Sequence, residues 1–129
     1  MNLPTDLKYT KEHEWVRIEG GIATVGVTDY AQGELGELVY VEVETVDEEL
    51  EKEDVFGTVE AVKTTSDLFM PLSGKITEFN SKLDESDGDD PTLINSDPYG
   101  EGWIIKIEIS DESEIDDLMD AEVYKELVA

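Results

Sequence analysis

Short runs in which apolar and polar residues alternate, divided by glycine-rich or acidic turns, restrict the fold of this chain more than any other feature. Alternation with a period of two indicates half-buried strands, because successive side chains of a strand point to opposite faces. Between two such runs lies Gly20-Gly21, and both glycines accept the positive φ of a two-residue hairpin turn. The runs are 15–18, 22–27, 38–46, 55–62, 68–70, 75–79 and 103–109. They predict a mainly β fold in which two antiparallel sheets form a flattened barrel or sandwich.

Helical signals are short, and the longest lies at the C-terminus. Thr28 can cap a helical turn that we expect Gly33 and Gly36 to end. Within the helical segment 111–129, Asp120 can cap a final helix. The apolar stripe of that helix would comprise Val123, Tyr124, Leu127 and Val128.

The remaining patterns concern one strand and one loop. Residues 38–46 predict a strand, and residues 84–90 predict a solvated acidic loop. The two faces of the strand would hold Leu38, Tyr40 and Glu42, and Val39, Val41 and Val43. The glycine spacing in the acidic loop does not fit a calcium-binding loop, so we predict no metal site there. We expect residues 1–129 to form one domain.

The charge of the chain excludes several classes of partner. Nine basic residues against 34 acidic ones give a net charge of −25, which disfavours nucleic acids and anionic membrane surfaces. The acids are spread along the whole chain, so we interpret them as adaptation to the salt-rich cytoplasm of a halophilic host rather than as a disordered tail. No apolar run approaches the roughly 20 residues of a membrane span, and the N-terminus lacks a signal-peptide pattern, so we expect a cytoplasmic protein.

Few residues are available for catalysis. The chain has no cysteine and one histidine, which excludes disulfides, thiolate metal sites and a cluster of histidine ligands. A Ser-His-Asp triad would have to use His13, which we interpret as a structural residue at the start of the first hairpin. No glycine-rich phosphate loop is present. The sequence therefore predicts no catalytic residue and no metal ligand.

Lys63 lies in a break between strand runs, at or near a hairpin tip. A hairpin tip suits an acylation site, because a modifying enzyme must reach the ε-amine and the attached arm must swing without strain. The alternative is an ordinary surface lysine, and the residues Glu60-Ala61-Val62-Lys63 by themselves favour that alternative.

Five blocks of the sequence resemble the family of glycine cleavage H-proteins. The stretch 57–67, followed by Pro-Leu-Ser-Gly at 71–74, is similar to the family's lipoyl-lysine hairpin. The other blocks are 13–16, 25–32, 35–42 and 93–103, in the family's order. The resemblance extends from about Leu7 to the C-terminus.

Other swinging-arm families match less well. Biotin carriers place methionine on both sides of the lysine, where this chain has Val62 and Thr64. Lipoyl domains of 2-oxoacid dehydrogenases lack counterparts of the blocks 13–15 and 95–103. This chain departs from the H-protein pattern at Glu44 and Asp47, where the family often has proline and glycine, and in a longer loop at 85–88.

The resemblance implies a carrier rather than an enzyme. It implies a barrel-sandwich hybrid of the lipoyl/biotinyl type, with lipoate amide-linked to Lys63 and with Glu60 and Ala61 read by the lipoylating enzyme. The arm would carry the aminomethyl group from glycine decarboxylase (P-protein) to aminomethyltransferase (T-protein), and dihydrolipoyl dehydrogenase (L-protein) would reoxidise it. Glu14 and Asp67 match family positions beside a cleft that parks the loaded arm, and we expect Glu12 on the same strand face as Glu14.

Three alternatives to the glycine cleavage carrier stay open at this point. One is a relay that donates lipoyl groups to other carriers, and another is a different kind of lipoyl-domain carrier. The third is an acidic interaction module without a prosthetic group.

Overall fold

A computed structural model describes residues 2–129, which form two antiparallel sheets and a few short helices. The strands are β1 (Lys8–Tyr9), β2 (Glu14–Glu19), β3 (Ile22–Val27), β4 (Leu38–Glu42), β5 (Glu49–Leu50), β6 (Val55–Ala61), β7 (Thr65–Phe69), β8 (Gly74–Phe79) and β9 (Ile105–Ile109). The helices are α1 (Asp29–Leu35), α2 (Leu93–Ser96), a 3₁₀ helix (Glu112–Asp117) and α3 (Ala121–Val128).

Six strands form the larger sheet and three form the smaller one. Their orders are β1-β2-β3-β9-β8-β5 and β4-β6-β7, with antiparallel pairing throughout. The two sheets do not close on each other. The prediction of a mainly β fold with two antiparallel sheets is therefore confirmed. None of the helices within residues 2–129 is long and apolar enough to cross a membrane.

The first hairpin forms where the glycine pair predicts it. Glu19 pairs with Ile22, and Gly20 and Gly21 have φ values of 56° and 84°. One further glycine has a packing role in this hairpin. A Cβ on Gly26 would come within 2.7 Å of the Trp15 ring, which is fully buried across the strand from it. Glycine at this position therefore lets the indole lie flat against β3.

Two apolar clusters hold the elements together. The larger lies between the sheets and includes Phe56, Leu72, Ile76, Ile105 and Ile107, all almost completely buried. The smaller joins the N-terminal segment to α3. Its buried members are Leu7, Tyr9, Trp15, Ala121 and Tyr124.

Both predicted helix caps are present, but the bounds and faces of the helices differ from the expectation. Thr28 and Asp120 accept hydrogen bonds from backbone N–H groups three residues on. Helix α1 runs through Gly33 and ends only at Gly36, because the left-handed φ of 82° stops the helix there. In α3 the buried face is Ala121 and Tyr124, with Val128 half-buried, whereas Val123 and Leu127 are about half exposed.

The strand predicted at 38–46 is shorter than expected, and its faces are different. Its register with β6 shifts between Leu38 and Tyr40, so Leu38 and Val41 are buried and Val39 is 47% exposed. A β-bulge of this kind reverses the inward and outward sides beyond it. The strict alternation of 38–46 was therefore wrong as a guide to the faces.

Two segments predicted as turns contain strands. Residues 49–50 form β5, which pairs with the start of β8. The strand after Lys63 begins at Thr65 rather than at Leu68. At Asp47 φ is 73°, a left-handed conformation that glycine adopts more easily.

Candidate functional site

Lys63 lies in the exposed turn that joins β6 to β7. Ala61 closes the turn by donating its N–H to the Thr64 carbonyl at 2.7 Å. Val62 is 73% exposed and Lys63 is exposed as well. Among residues 2–129 Lys63 belongs to no salt bridge, whereas four other lysines are paired with acidic side chains. Its amine is therefore accessible to a modifying enzyme.

The turn rests on the segment that joins α1 to β4. Val62 donates its N–H to the Glu37 carbonyl at 3.0 Å. The Lys63 side chain lies over Gly36, since a Cβ there would be 3.3 Å from Cε of Lys63. The base of the side chain is therefore placed by the C-terminal end of α1 as well as by its own hairpin.

Glu60 and Ala61 have different environments on the same strand. Glu60 is exposed and pairs across the sheet with Tyr40 and Thr65. Ala61 is only 6% exposed and belongs to the large apolar cluster. An enzyme that approaches the hairpin can contact the Glu60 carboxylate, whereas Ala61 can contribute only through the shape of the hairpin.

A cleft of about 240 Å³ lies between α1 and β7 and brings together three acidic side chains. Two of them, Glu12 and Asp67, were predicted to lie beside an arm-parking cleft. The third is Glu34, which the sequence reasoning missed. Tyr30 also lines the cleft. Tyr30 and Glu34 are four residues apart in α1 and therefore lie on the same face of the helix, and this spacing could have predicted that they share a site.

Glu14 lies outside this cleft. It is 2% exposed, and its Oε2 accepts the N–H of Phe69 at 2.8 Å. Its Oε1 is buried without a hydrogen-bond partner among residues 2–129, and the side chain lines a separate cavity of about 280 Å³. Burial raises the pKa of Glu14 to about 8, and the nearby Glu12 adds to this, whereas the bond from Phe69 lowers it.

The expectation that Glu12 shares a strand face with Glu14 is wrong. Glu12 lies in a turn, because His13 between them has a φ of 68° and strand β2 begins only at Glu14. The Glu12 side chain borders both the 240 Å³ cleft and the 280 Å³ cavity. The structure thus brings Glu12 and Asp67 together, and it buries Glu14 near them at the far end of β7.

His13 has structural contacts that also border the cleft. Its Nδ1 lies 2.9 Å from the Tyr124 hydroxyl, which in turn lies 2.8 Å from Oγ1 of Thr28. Its ring centroid is 5.0 Å from that of Tyr30. Burial lowers the pKa of His13. These contacts tie α3 to the start of α1, which agrees with a structural role.

Comparison with known proteins identifies the family that this site resembles. The model of the glycine cleavage H-protein family matches residues 7–129. The chain is 57% identical to the glycine cleavage system H protein of Bacteroides thetaiotaomicron and 51% identical to that of Staphylococcus haemolyticus, in each case over 99% of this chain and 98% of the relative. It is also similar to the crystal structure of a glycine cleavage system H protein from Mycobacterium marinum. That similarity has a TM-score of 0.83 and 37% identity, and it covers 96% of this chain and 97% of the other.

Proposed function

Because the chain belongs to the glycine cleavage H-protein family and is thus a lipoyl carrier in glycine cleavage, we propose that Lys63 is the residue that bears the lipoyl group. The position of Lys63 supports this most directly. Lys63 is exposed in the turn between β6 and β7, and its amine belongs to no salt bridge within residues 2–129. An acylating enzyme can reach such an amine, and the turn leaves room for a long attached arm.

A lipoyl group on Lys63 would supply a cyclic disulfide that can be reduced and that can carry the aminomethyl group. The amide link removes the charge of the lysine. Because Lys63 forms no salt bridge within residues 2–129, the loss of this charge breaks no ion pair. The folded chain acts as a tether for the arm. Once the chain docks on a partner enzyme, the arm on Lys63 is held at high effective concentration near the active site of that enzyme. We propose that it is a carrier subunit without catalytic residues of its own.

Membership of the glycine cleavage system supports a defined set of partners. We propose that the arm on Lys63 visits glycine decarboxylase, aminomethyltransferase and dihydrolipoyl dehydrogenase in turn, and that a lipoylating enzyme loads Lys63 first. We propose that these partners meet the chain in the cytoplasm, without nucleic acid or membrane contacts. The halophilic host is not supported by the relatives from Bacteroides and Staphylococcus, and adaptation to salt stays a prediction.

The acidic cleft beside the hairpin is suited to hold an arm that ends in an amine. An aliphatic amine is protonated near neutral pH, and carboxylates form charge-assisted hydrogen bonds with ammonium groups. We propose that Glu12 and Asp67 provide these carboxylates, with Glu34 as an addition to the predicted pair. Glu14 is not part of this set, because it lies outside the cleft and its raised pKa keeps it mostly protonated at pH 7.

The test of the proposal is the variant Lys63→Arg. A guanidinium keeps the positive charge but cannot be acylated like an amine, so the variant should gain no lipoyl group. Lys75→Arg is the matched control, because Lys75 is also exposed but lies on β8 in the other sheet. Intact mass and peptide mapping after incubation with a lipoate ligase, lipoate and ATP give the readout. Lipoylation of Lys63→Arg, or its loss in Lys75→Arg, would contradict the assignment.

A further inference from the structure

The Asn95 side chain connects three backbone and side-chain groups that lie behind Lys63. Its Oδ1 accepts the N–H of Leu38 at 2.9 Å. Its Nδ2 donates to the Gly36 carbonyl at 2.8 Å and to Oε1 of Gln32 at 3.1 Å. The amide thus uses its acceptor and both of its donors on α1 and the segment that follows it.

That segment, residues 36–38, holds the turn of Lys63 on its other side. Gly36 lies beneath the Lys63 side chain, the Glu37 carbonyl accepts the N–H of Val62, and Leu38 pairs with Ala61. Three consecutive residues therefore contact the hairpin tip, and Asn95 binds the first and the third of them. A short chain of contacts runs from Asn95 through residues 36–38 to Lys63.

The segment 36–38 needs such a clamp because regular secondary structure does little to fix it. Gly36 has a left-handed φ of 82°, α1 has just ended, and the register of β4 shifts directly after Leu38. The Gln32 amide is itself fixed, since its Nε2 donates to Oδ1 of Asp29 at 2.8 Å and leaves Oε1 for Asn95. Side chains replace the missing ladder hydrogen bonds here.

We propose that Asn95 is a positioning residue for Lys63: it fixes residues 36–38 in the conformation that presents the lysine to the lipoylating enzyme. This rests on the proposed role of Lys63. The amide of Asn95 is needed because its Nδ2 donates hydrogen bonds to two acceptors, the Gly36 carbonyl and Oε1 of Gln32. A carboxylate at this position would face the Gly36 carbonyl and Oε1 of Gln32 without a hydrogen to donate, so the segment would shift and loosen the turn.

The experiment compares Asn95→Asp with Asn80→Asp, which changes the same chemistry elsewhere. Asn80 also uses one acceptor and two donors, on the Lys82 N–H and on the carbonyls of Glu101 and Trp103. It is 3% exposed, so its replacement destabilises the protein at least as strongly. Two readouts are taken on the unlipoylated, full-length protein: amide hydrogen exchange of Val62 by NMR, and kcat/KM of lipoylation by a lipoate ligase.

Asn95→Asp should speed the exchange of the Val62 amide and lower kcat/KM, each by about tenfold. Asn80→Asp should leave both close to wild type. Unchanged values in Asn95→Asp would overturn the proposal, and so would equal changes in Asn80→Asp, since these would reflect general destabilisation. If Asn95→Asp does not fold, Asn95→Ser tests the same contacts, because serine is too short to span Gly36 and Leu38. Val62 exchange requires no lipoylation, so it remains decisive even if Lys63 proves not to be the modified residue.

Discussion

Replacing Glu14 with glutamine should remove a specific pH dependence from the stability of the protein. The Glu14 carboxyl is almost completely buried, and its Oε2 accepts the N–H of Phe69 at 2.8 Å. Glutamine has the same shape, keeps a carbonyl for Phe69 and carries no charge at any pH. The substitution therefore changes the titration of this position while leaving its main hydrogen bond in place.

The sign and size of the effect follow from the raised pKa of Glu14. Its ordinary pKa is 4.5, and burial raises it to about 8 in the folded protein. Between these values the folded state binds more protons than the unfolded state, so the free energy of unfolding falls as the pH rises. The limiting slope is about 1.4 kcal/mol per pH unit and falls to half of that at pH 8, so the loss between pH 6 and pH 8 is about 2 kcal/mol. Above the folded pKa the contribution is lost completely.

Urea unfolding of both proteins at pH 6, 7 and 8, followed by tryptophan fluorescence at constant salt, measures this effect. The difference between wild type and Glu14→Gln isolates Glu14. His13, whose lowered pKa gives the opposite slope, is present in both proteins and cancels. Glu19→Gln is the control, because Glu19 is an exposed acid on the same strand. Parallel stability profiles for wild type and Glu14→Gln from pH 6 to pH 8 would refute the reasoning.

The remaining predictions concern the cleft, the hairpin and the surface charge. Asp67→Ala should speed ammonia release from the aminomethyl-loaded protein in the absence of aminomethyltransferase, because the cleft loses a carboxylate. The exposed Asp116→Ala should not, and equal rates would argue against parking in the cleft. Glu60→Lys should slow lipoylation, since the exposed Glu60 carboxylate lies on the hairpin beside the packed Ala61, and a normal rate would mean that Glu60 is an ordinary surface acid. The melting temperature should rise with potassium chloride up to about 1 M, where the Debye length is about 3 Å rather than the roughly 30 Å of 0.01 M salt. A flat response would show that the net charge of −25 is tolerated without adaptation.

The family and the proposed lipoylation site were accessible from the sequence for different reasons. Ordered blocks of similar residues along most of the chain indicated the H-protein family, and the family model over residues 7–129 bears this out. The proposal for Lys63 needed that resemblance in addition to the hairpin pattern, because a lysine in a turn is by itself an ordinary surface residue. The neighbouring cleft could not be predicted in full, since Glu34 joins it only because α1 and β7 line the same cleft in the folded chain.

The sequence by itself determined those parts of the fold that depend on interactions between residues close together in the chain. The glycine pair at 20–21 sets the first hairpin, and Thr28 and Asp120 cap their helices by hydrogen bonds to residues three positions on. These features depend on neighbours in the chain, so a linear pattern contains the information that fixes them. The two alternating strands of that hairpin belong to the same class.

Contacts between distant segments decided the rest. The bulge after Leu38 turns Val39 outward, although the alternation of apolar residues continues through it. The pKa of Glu14 depends on its burial beside Phe69, 55 residues away in the chain, and Asn95 acts on residues 36–38 from α2. Hydrogen bonds and desolvation act through space, so the partners of these side chains, and with them their chemistry, are fixed only when the sheets and helices pack together.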